Sequence, residues 1–113
     1  MTGYDLLKKS LLRLGYENLK GESFFERGIE AINQICNDLK VEEIANLADV
    51  ISTTNEGIEC LVIGVAMVLS FAEGDSEKNQ IFTSLYNAKR ASFLSKIDYI
   101  VNKMPVAEGS DNL

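Results

Sequence analysis

The sequence predicts an all-α protein, a small bundle of four main helices with a long C-terminal helix and a flexible C-terminal tail. Three observations indicate this class: hydroxyl residues followed three positions later by an acid, apolar residues at intervals of three and four, and glycine or proline after the periodic segments. A chain of 113 residues with 46% hydrophobic residues has enough material for one core and too little for two. We therefore expect one helical domain over residues 1–104 and a flexible tail over residues 105–113.

The first helix is predicted from a capping box formed by Thr2 and Asp5, a variant in which Asp replaces the usual Glu or Gln. Leucines three or four apart then define a helix from about residue 4 to residue 14. Gly15 is suited to end this helix in a left-handed conformation. The glycine-containing stretch 15–22 is expected to be a loop.

The second helix is predicted to begin at Ser23, which forms a capping box with Glu26, and to run to about Leu39. Gly28 interrupts it at a cost of about 1 kcal/mol relative to Ala, a cost that a close crossing of two helices would offset. Residues 40–52 combine helical spacing with acids and β-branched residues, so we interpret this stretch as a helical turn plus a loop.

The third helix is predicted over about residues 55–73, after a third capping box of Thr53 and Glu56. It contains the most apolar run of the chain, residues 60–72. Thirteen residues fall short of the roughly 20 that cross a bilayer, and acids bracket the run. We therefore interpret it as the buried central helix and expect no membrane contact.

The fourth helix is predicted over about residues 76–104, after a corner in which Gly74 closes one helix and Asp75 caps the next. The residues expected to pack its first half are Ile81, Phe82, Leu85 and Tyr86, and those expected in its second half are Phe93, Ile97, Ile100 and Met104. A straight helix of this length measures about 42 Å, more than the diameter of about 35 Å of a compact domain of this size. Its far end is therefore expected to protrude and to need a partner; packing of the first helix against it is the alternative within one chain.

The absence of histidine removes the commonest general base and the commonest transition-metal ligand. Cys36 and Cys60 are read as small, reduced core residues, and the opening of the chain does not resemble a secretory signal. Glu56 and Glu59 share a helix face, but without histidine they are better explained by capping and solvation than by a metal. The sequence predicts no enzyme activity, no cofactor and no metal site.

Charge is distributed unevenly along the chain. Residues 41–77 carry eight acids and no base, whereas residues 78–104 carry five bases and one acid. Such segments are expected on surfaces that attract each other, within one subunit or between copies, or as ordinary solvated faces. The net charge of −6 argues against a direct grip on DNA.

The segment AMVLSFAEGDSEKNQIFTSLYNAKRASF at 66–93 resembles the C-terminal half of head-tail connector (adaptor) proteins of long-tailed double-stranded DNA bacteriophages. The matching features are the Gly74–Asp75 turn and a long helix that carries, in order, Phe82, Tyr86, Asn87, Lys89 and Arg90, with Pro105 closing it. The segment NLADVI at 46–51 resembles the link that precedes the apolar helix in that family, whereas the glycine-bounded loop at 15–22 departs from the family pattern.

The resemblance implies a structural virion protein of the neck, assembled in the host cytoplasm. Its subunits would form a ring of about a dozen copies that joins the portal protein to tail or stopper proteins and lets DNA pass through the lumen. From the charge distribution we expect Lys89 and Arg90 to face acids of a neighbour, and we expect the tail to order on the portal. The residues predicted at the subunit or portal interface are Lys89, Arg90, Ile97, Ile100, Met104, Pro105 and Val106. The alternative function is a stand-alone helical regulatory (anti-host) protein that binds one partner.

Overall fold

The computed structural model describes residues 1–16 and 22–103, with side chains for residues 1–16 and 26–97. Over these residues the prediction of a small all-α bundle is confirmed. The helices are α1 (Gly3–Leu14), α2 (Glu22–Leu39), α3 (Asn55–Ala72) and α4 (Ser76–Lys103). Extended pairing within the described ranges is limited to an isolated antiparallel bridge between Thr2 and Val50.

Both predicted ends of α1 are confirmed. The Asp5 amide donates to Thr2 Oγ1 at 3.2 Å, and the Thr2 amide donates to Asp5 Oδ2 at 3.3 Å, which completes the capping box. Gly15 closes the helix at φ 76°, and its amide donates to carbonyls of the last turn. This conformation is inexpensive only for glycine, because it brings a Cβ close to the backbone.

The start of α3 corrects the predicted cap by one residue. The helix begins at Asn55 as expected, but Thr54, not Thr53, is its N-cap, with Thr54 Oγ1 accepting from the Gly57 amide at 3.1 Å. Thr53 and Thr54 carry the same hydroxyl group, so the sequence alone does not distinguish them. In the structure Thr54 has the extended backbone conformation of an N-cap residue. Helix α2 begins at Glu22, one residue before the predicted start at Ser23. The side chain of Ser23 lies outside the described residues, so the capping bond predicted for it stays a prediction.

The connection between α2 and α3 is an ordered loop rather than a helix. Asn33 of α2 holds it through both backbone groups of one residue: its Nδ2 donates to the Ile44 carbonyl, and its Oδ1 accepts from the Ile44 amide, each at 2.9 Å. The Asp49 carboxylate accepts from the amides of Ala45 and Asn46, and the Asp49 amide closes a turn onto the Asn46 carbonyl. Side-chain bonds to the backbone therefore replace the predicted helical turn, as short polar residues often allow.

The middle of the bundle is α3, which packs against each of the other three helices. Its run from Cys60 to Ala66 is buried throughout. By length and composition alone α3 could span a bilayer, with a mean hydropathy of 1.5, yet 56% of that window is buried inside the bundle. Such burial is typical of a core helix surrounded by amphipathic ones.

Two glycines allow helices to approach closely. A Cβ on Gly28 would lie 2.6 Å from Leu7 Cδ2, so α2 crosses α1 where the sequence predicts a close crossing. A Cβ on Gly64 would lie 2.7 Å from Ile35 Cγ2 and 2.8 Å from Tyr86 Cε1. The second glycine therefore brings α2, α3 and α4 together at one point.

The corner between α3 and α4 has the predicted chemistry. Gly74 adopts φ 72°, and Asp75 caps α4 by accepting from the Lys78 amide at 3.3 Å. The end of α1 is bonded to this corner, because Lys78 Nζ donates to the Leu14 carbonyl and Tyr16 donates its hydroxyl hydrogen to Asp75 at 3.1 Å.

The long fourth helix extends beyond the helix on which it packs. Lys96 meets Glu56, in the first turn of α3, so the seven residues from Ile97 to Lys103 carry α4 about 10 Å further. The molecule accordingly measures 53 × 30 × 18 Å. The alternative in which the first helix covers this end is wrong: α1 packs on α3 and α2 and is bonded to the opposite end of α4.

Candidate interaction surface

A buried line of three aromatic residues divides the surface of α4 into two flanks. Phe82, Tyr86 and Phe93 are 8%, 3% and 5% exposed, and their spacing of four and seven places them on one face. One flank meets the end of α2, and the other meets the first half of α3. Both flanks carry basic side chains from the segment 78–104.

The flank against α2 carries a three-residue hydrogen-bonded cluster. Tyr86 donates its hydroxyl hydrogen to Asp38 Oδ2 at 2.5 Å, and Arg90 Nε donates to the same oxygen at 2.7 Å. Tyr86 and Arg90 are four residues apart, so both side chains project toward the last turn of α2. The carboxylate supplies the partner that a buried tyrosine hydroxyl requires.

This arrangement shifts the pKa values of the groups in the cluster, each in the direction that favours its ordinary charge state at neutral pH. Partial burial raises the pKa of the Asp38 carboxyl, but the hydrogen bonds from Tyr86 and Arg90 outweigh it and hold the pKa below its usual range. Burial, together with the bond to Asp38, raises the pKa of the Tyr86 hydroxyl. The cluster therefore contains a carboxylate, a neutral phenol and a guanidinium at neutral pH.

The flank against α3 bears ion pairs between helices. Lys96 Nζ lies 2.9 Å from Glu56 Oε1, and Arg13 of α1 lies 2.9 Å from Glu59 Oε2. The hydrogen bond from Arg13 lowers the pKa of Glu59, and partial burial opposes this. Glu56 and Glu59, considered above as a possible metal-ligand pair, thus each bind a cation from another helix.

A groove of about 390 Å³ lies between these ion pairs. Its lining residues are Glu56, Glu59, Ala88, Lys89 and Ser92. The small side chains of Ala88 and Ser92 leave the space, and Lys89 adds an exposed ammonium that forms no ion pair with the described carboxylates. The groove therefore has mixed polarity, with two carboxylates, one ammonium group and two small side chains.

The predicted interface residues have different surroundings. Lys89 lines the groove, whereas Arg90 is bound to Asp38 of its own chain, so the partner predicted on a neighbouring subunit is already present within the bundle. Ile97 is half-buried against the core. The side chain of Ile100 and all of Met104, Pro105 and Val106 lie outside the described residues.

Two residues predicted to pack the first half of α4 are instead exposed. Ile81 is 54% exposed and Leu85 is 43% exposed, while Phe82 and Tyr86 next to them are buried as expected. Adjacent residues point about 100° apart on a helix, so α3 and α2 cover one pair and leave the other open. The prediction was wrong for Ile81 and Leu85 because the sequence pattern does not show how wide the covered face is.

Both cysteines lie in the core, as predicted. Cys60 is 1% exposed and Cys36 is fully buried, and neither forms a disulfide. Burial raises the pKa of each thiol to about 11. A protonated, inaccessible thiol is a poor nucleophile and a poor metal ligand.

Comparison with known proteins gives no relative. No family model, curated protein or solved structure matches this chain.

Sequence reasoning missed three features of these surfaces. The first is the role of Asp38: a buried tyrosine such as Tyr86 needs a hydrogen-bond acceptor, but the sequence does not show which residue provides it. The groove depends on where α3 and α4 diverge, and the sequence carries no signal for that. The third is a depression of about 220 Å³ lined by Glu42, Glu43, Ile44, Asp49, Val50 and Ser52.

Proposed function

We propose that this chain is a structural, ring-forming subunit of the head-tail connector type, which joins a portal to the tail of a double-stranded DNA phage. The observation that carries the proposal is the extension of α4 about 10 Å beyond its contact with the first turn of α3. A helix that extends beyond its own core is suited to binding a neighbouring subunit.

The charges of α4 support this proposal in a modified form. Arg90 is neutralised within the chain, so it contributes rigidity between α2 and α4, while Lys89 remains available in the groove. A subunit for a ring must keep its shape while different faces meet neighbouring copies. The Asp38 cluster and the packing around Gly64 both fix α4 relative to α2 and α3.

The proposal predicts that a portal gene lies near the gene for this chain, and the test uses the portal protein that such a gene encodes. We expect the full chain, mixed with purified portal, to give rings of about a dozen copies on the portal by negative-stain electron microscopy. A chain that stays monomeric beside the portal and binds one host protein in a one-to-one complex would contradict the proposal and favour the regulatory alternative.

Two variants locate the contact with the portal. Lys89→Glu is expected to weaken ring formation on the portal, and removal of residues 105–113 is expected to weaken portal binding. The control is Gln80→Glu, which adds negative charge at an exposed site on the same helix and is expected to behave like the unmodified chain. Equal binding by all of these proteins would exclude both the groove and the tail from the contact.

A further inference from the structure

Two exposed patches of opposite charge lie outside the surfaces of α4. The basic face comprises Lys8, Lys9 and Leu12 of α1. The acidic depression is the cavity of about 220 Å³ in the loop between α2 and α3, whose exposed members include Glu42, Glu43 and Val50. Each patch combines two like charges with one strongly exposed apolar side chain.

The basic face is the side of α1 opposite the core. Leu7 and Leu11 are 2% and 6% exposed, whereas Leu12 is 73% exposed, and Lys8 lies four residues before it on the same face. Neither Lys8 nor Lys9 forms an ion pair with a carboxylate of the described residues. The face therefore presents two ammonium groups beside an apolar side chain; the one carboxylate on the same side of α1, that of Asp5, lies a turn earlier and accepts from the Thr2 amide.

The acidic depression has the matching composition. Val50 is 66% exposed, and the carboxylates of Glu42 and Glu43 are exposed and form no ion pair with the described bases. Asp49, also in the lining, has its carboxylate engaged by two loop amides and so contributes to the shape of the depression.

We infer that the basic face of one copy docks on the acidic depression of a second copy, with Leu12 packed against Val50 and Lys8 and Lys9 beside Glu42 and Glu43. Opposite charges around an apolar contact favour this orientation and disfavour like-to-like pairing. Each copy has one basic face and one acidic depression, so it can bind one neighbour through each. A head-to-tail ring requires two different surfaces of this kind.

The fold holds the two patches of one chain in a fixed relation to each other. The loop that carries the depression is bonded to the start of α1: the Gly3 amide donates to the Asp49 carbonyl at 3.1 Å, and the Ile51 amide donates to the Met1 carbonyl at 2.9 Å. The basic face begins one to two turns further along the same helix. The angle between the patches is therefore fixed by the fold, and this angle decides whether repeated contacts close into a ring of defined copy number or continue as a filament. The ring geometry rests on the proposed function, whereas the contact between copies does not require the portal.

Charge reversal tests the contact. The pair Lys8→Glu with Lys9→Glu, and separately the pair Glu42→Lys with Glu43→Lys, are each expected to lower self-association of the full chain by about tenfold or more in sedimentation velocity. Mixing the two variants in equal amounts is expected to restore association, because every contact between unlike copies then joins opposite charges. Added salt should weaken the association of the unmodified chain.

The matched control is Glu26→Lys with Glu30→Lys, which reverses two exposed acids on α2 and is expected to leave association unchanged. Circular dichroism of each variant verifies that the helices have formed. The inference is overturned if the control weakens association equally, if the mixture fails to recover, or if the unmodified chain does not self-associate either alone or on the portal.

The outcomes separate this inference from the proposed function. Rings on the portal that form regardless of the reversals would remove the contact and leave the connector proposal intact. Complementary variants that pair with each other, in a chain that does not bind the portal, would support the contact and contradict the connector proposal.

Discussion

Tyr86 and Asp38 join the middle of α4 to the last turn of α2 through a hydrogen bond between the phenol hydroxyl and Oδ2. The tyrosine ring is buried against Gly64 of α3, so this one side chain contacts both neighbours of its helix. The orientation of α4 depends on this contact, and with it the position of the groove and of the extended end.

Removing the Tyr86 hydroxyl should therefore destabilise the bundle without creating a cavity in its core. Tyr86→Phe is expected to lower the free energy of unfolding by about 1–2 kcal/mol, since it removes a buried donor and leaves Asp38 bound to Arg90. Urea denaturation measures the change. Ser84→Ala, at an exposed position on the same helix, is expected to stay within about 0.5 kcal/mol; an equal loss in both variants would show that the bond contributes nothing.

The close approach at Gly64 should tolerate no added methyl group. Gly64→Ala gains about 1 kcal/mol of helix propensity, but its Cβ would press on Ile35 and on the Tyr86 ring, and overpacking of this kind costs about 1–3 kcal/mol. We expect net destabilisation in thermal unfolding.

Gly28→Ala is the comparison for this substitution, because its new Cβ meets only the flexible end of Leu7. We expect a smaller loss than for Gly64→Ala. The reverse order would mean that α4 moves more easily than the packing indicates.

The two adjacent threonines before α3 should differ in their contributions to stability. Thr54→Ala removes the bond to the Gly57 amide and is expected to cost about 1 kcal/mol. Thr53→Ala removes no capping bond, and we expect a change within about 0.5 kcal/mol. Chemical denaturation of the two variants under identical conditions makes the comparison; a larger cost at Thr53 would contradict the assigned cap.

Acid should weaken the bundle through carboxylates whose pKa is lowered by folding. Asp38 and Glu59 both have a lowered pKa in the folded chain, so the unfolded chain takes up the proton first as the pH falls. Their stabilising contribution is complete above the unfolded pKa values of about 4 and is lost progressively below them. Urea midpoints should therefore stay nearly constant from about pH 7 to about pH 5 and decline between about pH 5 and about pH 2.

Asp38→Asn isolates one contribution to this effect. The stability gap between this variant and the unmodified chain should be largest near neutral pH and should narrow in acid, because the protonated carboxyl also loses its charge interaction with Arg90. Glu42→Gln changes an exposed carboxylate without a described ion pair. Its unfolding midpoint should equal that of the unmodified chain at each pH in this range. A gap that stays constant for Asp38→Asn would exclude its role in acid sensitivity.

Features that depend on local chemistry could be predicted from the sequence. The Thr2–Asp5 box, the left-handed Gly15 and the cap at Asp75 each involve residues within four positions of one another, so the pattern contains all the partners. The long apolar run likewise predicts α3 as the central helix, since only burial on several sides accommodates it.

Features that depend on distant partners could not be predicted. The sequence suggests Lys89 and Arg90 as one interface pair, yet Asp38 binds Arg90 from a position 52 residues earlier, and Lys89 is left to line the groove. Ile81 and Leu85 appear equivalent to Phe82 and Tyr86 by spacing, and only the packing of α2 and α3 decides which pair is covered.

The sequence by itself thus determined the helices, their ends and the identity of the central one, because hydrogen bonding within a turn and the burial of an apolar run are set by near neighbours and composition. The tertiary structure alone decided which charges remain unpaired, which apolar side chains remain exposed and how far α4 extends beyond α3. Those outcomes depend on how helices distant in sequence pack together, since a small shift in the crossing of two helices changes every pairing across them.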